Sequence, residues 1–236
     1  MVCEGILPKK KFEVLRKVTE KNVVSSCIFK ANYYQHPIDI KGRLFTEIKT
    51  YDVLPDGIER FIAYCDTADT GDDYLCAIMG GVLNGEGYVT DVLFTKDPMI
   101  KTEKELPRLL VVNKITDALI ESNSGGKNFA RSVEKNLWEL YKIRDCRIRW
   151  FHQSENKQSR ILSGAPYVME HIYFPTNWKD RFPEFYNHII TYQSTGKNEH
   201  DDGAEALVEF GKMIVGQNSV SSYIEWMKQL KEKRKH

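Results

Sequence analysis

The sequence has no hydrophobic run long enough to span a membrane. Its longest apolar stretches, such as Leu109–Val112, fall far short of the roughly 20 residues that a transmembrane helix needs. The N-terminus also lacks an apolar core followed by a small-residue cleavage site, so we expect no signal peptide. The sequence therefore predicts a protein without a membrane partner.

The sequence also lacks closely spaced cysteine pairs and an excess of either charge. The five cysteines are odd in number and none has CxxC spacing, which argues against a disulfide framework and a structural zinc site and favours a reducing cytoplasm. The 34 basic and 33 acidic residues leave a net charge of +1, which identifies no partner but permits a basic face beside an acidic pocket. No GxxxxGK[ST] motif occurs, so we expect no P-loop.

The apolar pattern that is present predicts an α/β fold. Short runs rich in β-formers come first, joined at Asn84–Gly85 by a dipeptide typical of tight hairpins, and helical periodicity then alternates with further strands. We predict a five-stranded mixed sheet flanked by helices, with its second strand antiparallel to both neighbours. The predicted strands are Arg60–Cys65, Tyr74–Leu83, Gly87–Phe94, Asp117–Glu121 and Cys146–Phe151, with a candidate edge strand at Ile172–Pro175. The predicted helices are Glu103–Lys114 (with Pro107 in its first turn), Asn128–Tyr141, Asn156–Leu162, Phe182–Tyr192, Asp202–Val215 and Ser222–Lys233.

Acidic residues stand where these elements begin or end. Asp66 closes the first strand, Glu121 closes the fourth, and Asp201 and Asp202 open a helix. Such carboxylates can converge at one edge of a sheet, where hard oxygen ligands suit Mg²⁺ or Mn²⁺. Two such ions form a site for phosphodiester hydrolysis. The alternative is structural: Asp201 can be a helix N-cap, with Asp202 and Glu205 favouring the positive end of the helix dipole.

Basic residues mark two candidate phosphate contacts. In SNSGGKNFAR, a Gly-Gly pair opens a helix that carries Lys127 and Arg131 in its first turns. In ENKQSRI, Lys157 and Arg160 are three residues apart and share a helix face, which either holds DNA or is simply solvated. His200 adjoins Asp201 and is a candidate accessory residue.

Taken together, these segments resemble the nuclease domain of the large terminase subunit of tailed bacteriophages, an RNase H-like family. RFIAYCDTADTGDDY is similar to the family's first catalytic strand, LIESNSGGKNFAR to its second motif, ENKQSRI to a Lys-x-x-Arg helix, and HDDGAEAL to its closing HDDxxDAL motif. QHPIDIKGRLF looks like the segment that leaves the terminase ATPase domain. One position departs from the pattern, because Glu205 stands where the family usually has Asp.

The resemblance implies a metal-dependent endonuclease that cuts concatemeric viral DNA during genome packaging. Carried over residue by residue, the catalytic and metal-binding acids would be Asp66, Glu121, Asp201 and Asp202. The accessory residues would be His200, Glu205 and Asp73, and the DNA-binding residues Lys127, Arg131, Lys157 and Arg160. Residues 1–54 would be an arm connecting to an ATPase domain, and residues 55–236 the nuclease domain with C-terminal helices.

The implied partners are double-stranded DNA, the ATPase domain of the same polypeptide, the portal and the small terminase subunit. The implied location is the cytoplasm of a bacterial host cell, as for a phage or prophage protein. Two alternatives remain open: another RNase H-like nuclease such as a resolvase, and a non-catalytic module that docks DNA or the portal. A carboxylate at every expected position favours the enzyme over the docking module.

Overall fold

The computed structural model describes residues 42–67, 73–121, 126–153, 156–195 and 198–215. The chain divides into two compact units, Met1–Arg43 with Gln193–Lys197, and Leu44–Tyr192 with Asn198–His236. In the described part of the first unit, Arg43 forms an isolated antiparallel bridge with Gln193. The predicted helix Ser222–Lys233 and most of the predicted arm lie outside the described residues, and the boundary after residue 54 stays a prediction.

The second unit is an α/β fold built on one mixed sheet. Its strands are β1 (Lys49–Tyr51), β2 (Arg60–Asp66), β3 (Leu75–Leu83), β4 (Glu86–Thr95), β5 (Asp117–Glu121), β6 (Arg147–Phe151) and β7 (Ile172–Pro175). Its helices are α1 (Met99–Val112), α2 (Gly126–Tyr141), α3 (Lys157–His171), α4 (Trp178–Arg181), α5 (Pro183–Thr191) and α6 (Asp202–Val215). None of these helices combines the length and the hydropathy that a membrane span requires.

The strand order is β1-β7-β4-β3-β2-β5-β6, so the sheet has seven strands and not five. The five predicted strands form its continuous part, β4-β3-β2-β5-β6, and β3 is antiparallel to both neighbours as predicted. The additional strands β7 and β1 extend the sheet beyond β4, both in parallel pairings. Ile172–Pro175 is therefore a strand, but β1 and not β7 forms the edge.

The hairpin between β3 and β4 follows from its turn residues. Asn84 and Gly85 both adopt positive φ, at 52° and 78°, as a type I′ turn requires. Asn tolerates this conformation and Gly has no Cβ to oppose it, so the sequence favours this turn locally.

Two hydrophobic cores cover the two faces of the sheet. The central strand β2 supplies both: Ile62 and Tyr64 face the core under α3, α5 and α6, whereas Ala63 and Cys65 face the core under α1 and α2. Alternate side chains of a strand point to opposite faces, so a central strand that is buried on both sides must be apolar almost throughout. This packing fixes the end of β2, where Asp66 lies.

Two helices differ from their predicted forms. Helix α1 begins at Met99, so Pro107 lies in its interior, and the Glu103 carbonyl that Pro107 cannot bond accepts a hydrogen bond from Asn136 Nδ2 at 2.7 Å. Helix α3 continues to His171 through Gly164 and Pro166, more than twice as far as predicted. Gly164 lets α3 approach α6 closely, because a Cβ at that position would lie 2.2 Å from Val208 Cγ1.

Candidate metal centre

The predicted acids converge at one end of the sheet. Strands β2 and β5 are parallel neighbours with Cys65 opposite Ile120, so their last residues, Asp66 and Glu121, lie side by side. Helix α6 approaches the same end with its N-terminus and adds Glu205. Carboxylate oxygens of Asp66, Glu121 and Glu205 lie within 4.8 Å of one another, and all three side chains are buried.

Glu205 therefore completes this group, although the sequence assigned it only an accessory role. Asp201 directly precedes α6, its carbonyl accepts from Glu205 N at 2.9 Å, and its side chain is 39% exposed. Glu205 lies one helical turn further along, where the side chain faces the sheet. The Asp201 side chain itself contacts Lys157 at 2.7 Å, and its predicted role as a helix N-cap stays a prediction.

A second group contains the predicted acids Asp202 and Asp73, whereas Asp201 belongs to neither group. Ligand atoms of Asp73, His200 and Asp202 lie within 4.8 Å of one another. Tyr74 N donates to Asp202 Oδ2 at 3.2 Å, and the Tyr74 ring meets the His200 ring edge-on with centroids 5.2 Å apart. Both groups have the donor types that hold a divalent cation, and the second adds a nitrogen.

Lys157 lies among these carboxylates. Its Nζ is 2.6 Å from Glu205 Oε2 and 2.7 Å from Asp201 Oδ1. The same atom is 3.2 Å from Asp202 Oδ1 and 3.9 Å from Asp66 Oδ2. Asn156 caps the helix that carries it, since the Asn156 side chain accepts from Ser159 N at 3.0 Å. Lys157 is thus a positive charge within ion-pair distance of four carboxylates.

The ionisation of the cluster reflects burial and like charge. Burial raises the pKa of the Asp66 carboxyl well above its usual range, Lys157 opposes this rise, and the neighbouring carboxylates, Glu121 first, add to it. Burial alone would lower the pKa of Lys157, but the carboxylates around it, Asp66 first, raise that pKa overall. A site with these properties gains from a cation that compensates the carboxylates.

Arg160 does not lie on the surface. Its side chain is buried and contacts two glutamates of α6, with Nη2 on Glu205 Oε1 and Nη1 on Glu209 Oε1 at 3.0 Å. Lys157 and Arg160 do share a helix face, as predicted. Lys157 contacts Oε2 of Glu205, and Arg160 contacts Oε1 of the same residue. That face points to α6, however, so a DNA contact by Arg160 does not agree with the structure. Lys127 and Arg131 stand exposed on α2, outside the cluster.

Two further residues at the site were not found from the sequence. Tyr64, fully buried, donates its hydroxyl to Glu121 Oε2 at 2.8 Å. Nothing in the sequence around Tyr64 signals this contact, since it depends on the β2–β5 register. Glu209 holds Arg160 from one turn beyond Glu205, and an i, i+4 pair of glutamates on one helix was a signal that could have revealed it.

Comparison with solved structures identifies the fold. The large terminase of a thermophilic bacteriophage superposes with a TM-score of 0.53 at 14% identity, over 89% of this chain and 53% of that one. A manganese-soaked human cytomegalovirus terminase nuclease domain superposes with a TM-score of 0.50 at 10% identity, over 70% of this chain and 89% of that one.

The chain has the fold of terminase nuclease domains. As predicted, this is an RNase H-like mixed sheet flanked by helices. The chain spans about half the length of the thermophilic phage terminase. No protein-family model matches the sequence, and no curated protein matches it. The terminase nuclease fold is therefore identified by its structure, and the chemistry must be argued from the site.

Proposed function

We propose that this chain is a metal-dependent DNA endonuclease of the terminase large-subunit type, which cuts concatemeric viral DNA during genome packaging. The observation that carries the proposal is the convergence of Asp66, Glu121 and Glu205 within 4.8 Å at one end of a terminase-type sheet. Three buried carboxylates at such spacing repel one another unless cations compensate them.

The donor atoms suit Mg²⁺ or Mn²⁺, and we propose two ions. Asp66, Glu121 and Glu205 would hold one, and Asp202 with Asp73 and His200 would hold the other. When bound, such ions activate water and stabilise the leaving oxygen of a phosphodiester. The imidazole of His200 favours Mn²⁺ over Mg²⁺, because Mn²⁺ accepts nitrogen ligands and distorted geometry more readily.

The chain's own residues prepare this site. Tyr64 donates a hydrogen bond to Glu121 Oε2 and so restrains that side chain within the cluster. Lys157 compensates the acids, and its side chain, 36% exposed, has room to turn toward solvent or a DNA phosphate. Lys127 and Arg131, exposed at the start of α2, are the residues we assign to the DNA backbone.

The wider setting follows the same proposal. We place the chain in a packaging motor with double-stranded DNA, an ATPase domain reached through the arm of residues 1–54, the portal and the small terminase subunit. We place that motor in the cytoplasm of a bacterial host cell. Co-purification of the chain with a separately expressed portal or small subunit tests these contacts one by one.

Plasmid cleavage tests the activity. Supercoiled DNA is incubated with the chain in Mg²⁺, in Mn²⁺ and in EDTA, and we expect nicked and linear products only with a divalent ion. Asp66→Asn keeps the side-chain volume, removes a central carboxylate and should abolish cleavage while the circular dichroism spectrum is unchanged. Asp56→Asn, at an exposed position before β2, is the matched control and should cleave as the wild type does. Wild-type cleavage by a folded Asp66→Asn protein would contradict the proposal.

One observation favours a second candidate, a non-catalytic module that docks DNA or the portal. Lys157 already contacts four carboxylates and so compensates the cluster without an added ion. A docking module would bind DNA in EDTA, cleave nothing in either metal, and show no change in melting temperature on addition of Mn²⁺. The nuclease should show such a shift, because an ion that binds only the folded state stabilises it.

A further inference from the structure

Behind the proposed metal ligand Glu205 lies a buried ion-pair network that joins it to Arg160 and Glu209. Arg160 bridges Glu205 and Glu209, which are one turn apart on α6, and Lys212 Nζ contacts Glu209 Oε1 at 2.6 Å. Arg160, Glu205 and Glu209 are each no more than 6% exposed. Charges removed from water this far are costly unless each has a partner in good geometry, so the network needs an explanation.

The guanidinium group of Arg160 contacts both glutamates, each through a different nitrogen. Nη2 binds Glu205 Oε1 and Nη1 binds Glu209 Oε1 at 3.0 Å, whereas the buried Nε has no hydrogen-bond partner within the described part of the chain. Glu209 is therefore the anchor that holds the guanidinium away from the second oxygen of Glu205. That oxygen, Oε2, contacts Lys157, whose side chain is 36% exposed and so has room to leave it.

We infer that Arg160 and Glu209 are positioning residues, which hold Glu205 so that it offers one oxygen, Oε2, to a divalent cation. This inference rests on the proposed function and deepens it. Partners behind a metal ligand orient that ligand and typically change metal affinity about 10- to 100-fold when they are replaced.

Glu209→Gln separates positioning from a structural role. The substitution keeps the side-chain length and frees Arg160 to bind both oxygens of Glu205. We expect Mn²⁺, titrated by electron paramagnetic resonance, to bind about tenfold more weakly than to the wild type. Glu134→Gln removes the same charge at an exposed position of α2 and should leave the Mn²⁺ affinity unchanged.

The decisive measurement repeats Glu209→Gln in a Glu205→Gln background. If Glu209 acts through Glu205, the second substitution should change Mn²⁺ affinity less than about twofold, because the ligand that it positions is already lost. An equal loss of affinity in both backgrounds would overturn the inference and return Glu209 to a structural role. Unchanged affinity of Glu209→Gln alone would also overturn it, with the proposed function intact. A wild-type chain that binds no Mn²⁺ would overturn both.

Discussion

Lys157 Nζ lies 2.6 Å from Glu205 Oε2. The ammonium group of Lys157 therefore contacts the same oxygen that a metal ion bound by Glu205 would need. The two residues come from helices that Gly164 and Val208 bring into close contact. The ammonium group is a counter-charge of the cluster. Under the proposed function, a divalent ion bound to Glu205 would displace Lys157 from that oxygen.

The first prediction concerns Lys157→Met, which keeps the apolar stem and removes the charge. Without the ammonium, Asp66, Asp202 and Glu205 repel one another at neutral pH. We expect the free energy of unfolding in EDTA to fall by about 1–3 kcal/mol, less than for a fully buried pair because Lys157 is partly exposed. Mn²⁺ should then raise the melting temperature of the variant more than that of the wild type.

Lys101→Met is the control for this prediction. Lys101 pairs with Asp97 at 2.7 Å on the surface, where solvent screens the ion pair and leaves it little effect on stability. Its loss should change neither the stability in EDTA nor the response to Mn²⁺ noticeably. Equal Mn²⁺ responses of the Lys157→Met variant and the wild type would show that Lys157 and the ion do not compete.

The strand positions and the place of the acids could be predicted because they depend on local sequence. Asn84–Gly85 favours its turn by backbone conformation alone, and the ends of β2 and β5 follow from where their apolar runs stop. Parallel neighbours then bring Asp66 and Glu121 together without further information. These features require only the period of the pattern and the rules of sheet pairing.

The remaining features depend on packing that no short segment encodes. The spacing of Lys157 and Arg160 predicts a shared face, but not that α6 covers it and buries Arg160. Helix α3 continues past Gly164 and Pro166, although both residue types disfavour a helix interior, and Gly164 packs closely against Val208 of α6. β1 has only three residues, too few for a period to be visible.

His188 provides a pH-dependent prediction. Its buried Nε2 has no hydrogen-bond partner among the described residues, and burial lowers the pKa of His188 to about 4. His188 therefore binds a proton near pH 6.5 in the unfolded chain but only near pH 4 in the folded chain. The stability that comes from keeping His188 neutral is complete above pH 6.5 and is lost as the pH falls toward 4. We expect His188 to account for a loss of about 3 kcal/mol between these limits.

The measurement is the free energy of urea unfolding from pH 7 to pH 4 for the wild type and for His188→Leu. The difference between the two isolates His188, because the carboxylates titrate in both. His152→Leu, at an exposed position, should follow the wild-type curve. Parallel curves for the wild type and His188→Leu would refute the assignment.

Gly164→Ala tests the close contact of α3 with α6. A Cβ would lie 2.2 Å from Val208 Cγ1, so the helices must separate even though Ala favours a helix by about 1 kcal/mol over Gly. We expect a net loss of about 1–2 kcal/mol in the free energy of unfolding. Val208→Ala removes the obstructing methyl groups, so the double variant should be more stable than the sum of the single effects predicts, by about 1 kcal/mol. Strict additivity would mean that the contact is not the cause.

The last prediction concerns the proposed DNA contacts of Lys127 and Arg131. Each phosphate that a basic side chain neutralises releases condensed counterions, which steepens the fall of log K with log salt concentration by about 0.9. Replacing both residues by Ala should therefore flatten that slope by about 2 when duplex binding is measured in EDTA, where no cleavage occurs. Lys142 and Arg144 form the matched control pair, also one Lys and one Arg, and both are exposed.

Lys142 directly follows the C-terminal end of α2, about 22 Å from Lys127 along the helix axis. It therefore lies far from the N-terminal end of α2 and from the strand ends that carry the acids. Replacing the control pair by Ala should weaken non-specific attraction slightly and leave the slope nearly unchanged. The argument depends on position, because both pairs remove the same charge from the same chain. If the two double variants flatten the slope equally, the effect belongs to net charge alone and α2 has no defined DNA-binding end. If only the Lys127 and Arg131 variant does so, the DNA backbone passes the start of α2, next to the strand end where Glu121 lies.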